Sequence, residues 1–132
     1  MKTFALGSTE LQVPAVVAGV MRIQDKSDAE VRAWYEAALA SGISYFDHAD
    51  IYGDGDAHGC ETRFAEALQL SSAERESIVL QSKAGIVKNG PYFDFSYAHI
   101  IDAVSPDKPP PMIIASYSIF NLQPSDINKT IY

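Results

Sequence analysis

The sequence predicts an α/β fold built on a parallel sheet, and three observations carry that prediction. Short apolar runs of strand composition alternate with helical segments, in the order strand, helix, strand, helix, strand. The first helical segment opens on a Ser-x-x-Glu capping box and continues as an amphipathic stripe. The stretch "FDHADIYG" (Phe46–Gly53) then gathers ionisable side chains just after an apolar run. That is where α/β folds put their chemistry, at the carboxyl ends of parallel strands.

Taken in order, "MKTFALGSTELQVPAVVAGV" has turn residues at Gly7-Ser8 between short apolar pieces. It predicts a hairpin leading into a buried strand at about Ala15 to Val20. Ser27 and Glu30 start a helix on which Val31, Trp34, Tyr35, Ala38 and Leu39 fall on one face, and Gly42 stops it as a C′ residue. "ISYFD" is the next strand. "CETRFAEALQL" is a second helix, with Phe64 and Leu68 on one face, and "SIVLQSK" is a third strand. Ser96 can cap a further helix, "YAHIIDAV", which Ser105-Pro106 cannot continue. Residues 1–104 therefore form one unit. Residues 105–132 are a proline-rich connector, "SPDKPPP", and a short tail in which "MIIASYSIF" has strand composition.

Bulk properties narrow the function. The 132 residues are 47% hydrophobic and 20% charged, enough for one domain with a core. A net charge of −7 disfavours nucleic acid or an anionic membrane surface as the main partner. Cys60 is the single cysteine, which rules out an internal disulfide and fits a reducing compartment. "MKTFALGSTE" lacks the apolar core of a signal peptide, and "VPAVVAGVM" is too short to span a bilayer. These features lead us to expect a cytoplasmic protein with no membrane segment.

Neighbouring parallel strands would bring Lys83, at the end of "SIVLQSK", close to Asp47 and Tyr52. The combination has a definite chemical use. An ammonium near a tyrosine favours its phenolate, and a carboxylate paired with the lysine holds it in place. A tyrosine so placed can protonate a carbonyl oxygen while a hydride arrives at carbon. No side chain supplies a hydride, so a cofactor must.

At these residues the chain resembles the aldo-keto reductases, NAD(P)H-dependent (β/α)8 barrels. The resemblance rests on "FDHADIYG", with an acid five residues before a tyrosine, on "CETRFAEALQL" and on "VLQSKAGI". The opening hairpin and "VAGVMRI" add to it, so that it runs from Lys2 to Val104. It implies that Tyr52 is the general acid, Lys83 its pKa modulator and Asp47 the carboxylate paired with Lys83. Gly19, Val20 and Met21, with Asp47, would border the nicotinamide of NADPH or NADH, and the substrate would be a small aldehyde or ketone. The family's fourth catalytic residue is a histidine ending a later apolar strand, and His99, inside "YAHIIDAV", does not align with it. A full barrel needs about 250 residues. The chain is therefore expected to be a truncated or internally deleted reductase, with "IASYSIFN" the remnant of a late barrel strand. The alternative is a catalytically inactive remnant that acts as an interaction module or a poorly folding fragment, and its open barrel edge would favour self-association.

Other readings of the same residues are weaker. Alone, Lys83 would be an ordinary solvated charge and Tyr52 a surface-packed ring. His48, Asp50, Asp54, Asp56, His58 and Cys60 suggest a metal site. A calcium loop starting at Asp54 would need a bidentate Glu where Ala65 stands, and His58-x-Cys60 lacks a second zinc-ligand pair, so no metal is expected. Cys60 could have a lowered pKa at its helix start, although a small residue suffices there. "SPDKPPPM" could be read by a proline-binding module, although a connector explains it more simply.

Overall fold

A computed structural model describes residues 1–53, 57–87 and 92–104. The expected connector and tail, 105–132, and Asp54 and Asp56 of the calcium-like loop lie outside these residues. The chain opens with an antiparallel hairpin of β1 (Thr3–Ala5) and β2 (Gln12–Pro14). A three-stranded parallel sheet follows, in the order β3 (Ala18–Gly19), β4 (Tyr45–Asp47) and β5 (Val79–Gln81). The parallel α/β class predicted from the alternation is thus observed. The first of these strands is shorter than expected: only Ala18 and Gly19 pair with β4, and the Val20 N–H adds a bond of 3.1 Å to the Asp47 carbonyl.

Helix α1 (Asp28–Ala40) crosses from β3 to β4. Its capping box is complete: Ser27 Oγ accepts from Glu30 N–H, and Glu30 returns a 2.8 Å bond to Ser27 N–H. Gly42, at φ 78°, ends the helix as the sequence predicts, and the Ile43 N–H reaches back 2.9 Å to the Ala38 carbonyl. Between β4 and β5 the chain forms α2 (Gly59–Leu68) and a short α3 (Ser72–Glu76). Past β5 come the antiparallel pair β6 (Ile86–Val87) and β7 (Tyr92–Phe93), then α4 (Tyr97–Ala103), capped by Ser96.

Strand alternation assigns the two faces of the sheet different tasks. Phe46 and Leu80 turn toward α1 and α2, where Val20, Val31, Tyr35, Cys60, Phe64 and Leu68 complete the core. The Phe46 ring is central, 5.3 Å from Tyr35 and 5.5 Å from Phe64 between centroids. Tyr45, Asp47 and Gln81 take the opposite face, joined by hydrogen bonds from Tyr45 Oη to Gln81 and from Gln81 Nε2 to Asp47 (3.0 Å).

Candidate active site

Gly19, Asp47 and Gln81 stand side by side in register at the carboxyl edge of the parallel sheet. Two residues beyond Gln81, Lys83 turns its ammonium back to this row. Its Nζ donates to both Asp47 carboxylate oxygens at 2.7 Å and to the His48 carbonyl at 2.6 Å. The same ammonium lies over the Tyr52 ring, 5.0 Å from its centroid, a cation–π distance. The structure therefore brings together Asp47, Tyr52 and Lys83, the three residues singled out from sequence.

The loop between β4 and α2 is fixed at both ends. Its Asp50 N–H donates to the Lys83 carbonyl (2.9 Å). After residues 54–56, the N–H groups of His58 and Cys60 donate to the carbonyls of Asp50 (2.6 Å) and Tyr52 (2.9 Å). Gly53, at φ 120°, approaches too closely for a side chain: a Cβ there would lie 2.9 Å from Gly59 Cα. Tyr52 thus sits in a tight loop held against both β5 and α2.

The remaining predicted residues fall nearby. Gly19 leaves an open face, where a Cβ would meet nothing within 4 Å, and Met21 is exposed just beyond. Val20 turns its side chain wholly into the core. An open backbone face, an exposed apolar side chain and the neighbouring Asp47 carboxylate thus border one edge of the candidate site. The residues considered for a metal take other parts. His48 is buried edge-on against Phe64 (5.0 Å), Cys60 is buried in the core, and His58 bonds through Nδ1 to Glu61. Among the described residues no three His, Cys, Asp or Glu side chains gather closely enough to hold a metal ion.

Sequence reasoning passed over a second polar group beneath the loop. Glu61, 2% exposed, accepts from Ser82 Oγ through one carboxylate oxygen and from His58 Nδ1 through the other. Burial alone would raise its pKa, yet the bonds from His58 and Ser82 outweigh burial and hold it below the usual carboxylate value. A signal was present in the sequence. Glu61 lies in the first turn of α2, three residues after a histidine, while Ser82 lies beside Lys83. Nothing local to either stretch says that they meet.

Comparison with known proteins identifies the family. The model of the Aldo/keto reductase family matches residues 15–129. The chain belongs to the aldo-keto reductase family. It is 38% identical over 105 residues to the uncharacterized oxidoreductase YcsN of Bacillus subtilis, covering 72% of this chain and 34% of that protein. The 6-dehydroglucose reductase of Agrobacterium fabrum is 38% identical over 90 residues, which cover 66% of this chain and 29% of that reductase. Among solved structures, the aldo-keto reductase AKR11C1 from Bacillus halodurans superposes with a TM-score of 0.62 at 31% identity, covering 79% of this chain and 34% of that one. The chain thus spans about a third of the length of these family members. Among the described residues no helix is long and apolar enough to cross a membrane.

Proposed function

We propose that this chain carries the proton-donating half of an aldo-keto reductase site, in which Tyr52 protonates the oxygen of a small aldehyde or ketone. The observation that carries the reading is the Lys83 ammonium, held by Asp47 and lying over the Tyr52 ring. When Tyr52 gives its phenolic proton to the carbonyl oxygen, the phenolate left behind faces a cation already in place, so little reorganisation is needed. Asp47 keeps that cation oriented rather than taking part in the transfer. NADPH or NADH, when bound, supplies the hydride that reaches the carbonyl carbon. Gly19, Met21 and the Asp47 edge would border its nicotinamide. In this reading β3, β4 and β5 are the first three strands of a (β/α)8 barrel, the β1–β2 hairpin precedes it, and residues 105–132 follow as a separate connector and tail. The carboxyl edge is where such barrels place their chemistry.

The test is carbonyl-dependent NADPH oxidation by the full chain, with 6-dehydroglucose among a panel of aldehydes and ketones. Replacing Tyr52 with Phe is expected to lower kcat by a factor on the order of 10² or more. Unchanged turnover in Tyr52→Phe would remove Tyr52 from the acid role.

A second reading is favoured by the sheet itself. Among the described residues β5 pairs through one side, with β4. A parallel strand offering its other edge invites a partner strand, so the chain would act by association. Sedimentation across a range of concentrations tests this reading. It predicts a concentration-dependent dimer, and a monomer throughout would refute it.

A further inference from the structure

We propose that Glu61 and Ser82 are positioning residues that set the Lys83–Tyr52 geometry from the opposite face of the sheet. The proposal rests on the reading of Lys83 and Tyr52 given above.

The hydrogen bonds close a ring around the loop. Lys83 C=O accepts from Asp50 N–H (2.9 Å), and Asp50 C=O accepts from His58 N–H (2.6 Å). The His58 ring donates to one oxygen of Glu61, and the other oxygen accepts from Ser82 Oγ. Ser82 is bonded covalently to Lys83, which completes the circuit. Tyr52 hangs from the same ring through its carbonyl, which accepts from Cys60 N–H (2.9 Å), between His58 and Glu61 in sequence. Glu61 acts here through its bonds to His58 and Ser82. It fixes the backbone from which each projects.

Packing alone does not account for a carboxylate here. Glu61 is as buried as its apolar neighbours Cys60 and Phe64, and Leu68 lies on the same helix. Burying a charge costs several kcal/mol unless it is well paired, and hydrophobic replacements of buried ion pairs are often neutral or stabilising. What the carboxylate adds is direction. Two oxygens on one rigid helix tie the end of β5 to the start of α2, and an apolar side chain could not hold that register. His58 has a left-handed backbone (φ 64°), and this tether helps fix it.

The experiment compares the full chain with Glu61→Gln, Ser82→Ala and Ser82→Thr. NMR of the Lys83 ε-methylene reads the geometry directly, because a group over the Tyr52 ring is shifted upfield by the ring current. The upfield shift is expected in the unaltered chain and in Ser82→Thr, which keeps the hydroxyl. It should shrink in Ser82→Ala and Glu61→Gln. In parallel, kcat should fall about tenfold or more in those two variants with KM unchanged, since small misplacements of reacting groups cost up to 10²-fold. Ser82→Ala removes one hydroxyl and carries the test if Glu61→Gln fails to fold. A folded Ser82→Ala chain with the full Lys83 shift overturns the positioning role and leaves the Lys83–Tyr52 pair standing. An unshifted Lys83 signal in the unaltered chain overturns the pair and this proposal together. The NMR comparison decides the matter whether or not a carbonyl substrate has been found.

Discussion

His48 sits one residue from Asp47 and does the opposite work. Asp47 faces the site, whereas the imidazole of His48, 2% exposed, packs edge-on against Phe64, and neither nitrogen has a hydrogen-bond partner among the described residues. Burial pushes its pKa down to about 4, against upward pulls from Glu61 and Asp47 and a further downward push from Lys83. The native chain therefore keeps His48 neutral, while the unfolded chain takes up a proton below about 6.5. Stability is then full above that pH and is lost as pH falls from about 6.5 toward 4, by up to about 3 kcal/mol. Glu61, held ionised, adds a further loss at lower pH, and Asp50, whose pKa is raised by burial, works against it. Urea midpoints measured across this range should show the slope, and His48→Phe should flatten its upper part. The Asp47–Lys83 pair presents a different balance. Both side chains are partly exposed, so Asp47→Asn should cost no more than about 1 kcal/mol in a urea melt. Its effect on turnover should be far larger, because Lys83 loses the group that orients it.

At the level of elements, the local signals were legible wherever a helix announces itself with its own residues. Ser27 and Glu30 form the expected capping box, and Gly42 stops α1 where predicted. The one-turn helix α3 went unread although Ser71 and Glu74 form the same box, with both bonds present. Its five residues are too few for an apolar stripe, so the cap was the sole clue. The β6–β7 pair was missed for another reason. Its two-residue strands are held by tertiary placement, with Phe93 and Phe95 stacked at 5.9 Å and Gly85 at φ 119° against Phe95. Caps can be tested singly. Ser27→Ala should lower stability by about 1 kcal/mol in thermal melts, and Gly42→Ala by a similar amount, since alanine is strained at φ 78°. Arg32 joins two helices, donating to the carbonyls of Ala67 (3.3 Å) and Leu68 (2.5 Å) at the end of α2.

Across the whole molecule, one aromatic stack unites sheet and helices. Phe64 contacts Phe46, Tyr35 and His48, and thereby links α2 to β4 and α1. Phe64→Ala should cost about 3–5 kcal/mol, a large share of the stability of a chain this size, and calorimetry should show a much lower or absent transition. The same stack positions chemistry at a distance. Because side chains alternate along β4, burying Phe46 toward the helices turns Asp47 to the other face, next to Gln81 and Lys83.

The sequence by itself determined the alternation of the main parallel strands and helices and the caps of α1 and α4, and it singled out Asp47, Tyr52 and Lys83 as candidates. Each of these depends on neighbours within a few positions or on a motif kept contiguous along the chain. Tertiary structure alone decided that Glu61 meets Ser82 across 21 residues, that His48 is buried against Phe64, and that Lys83 lies over the Tyr52 ring. Those contacts depend on the register of parallel strands and on the docking of α2 beneath the loop. Both follow from burying the whole core at once, and no local stretch of residues encodes them.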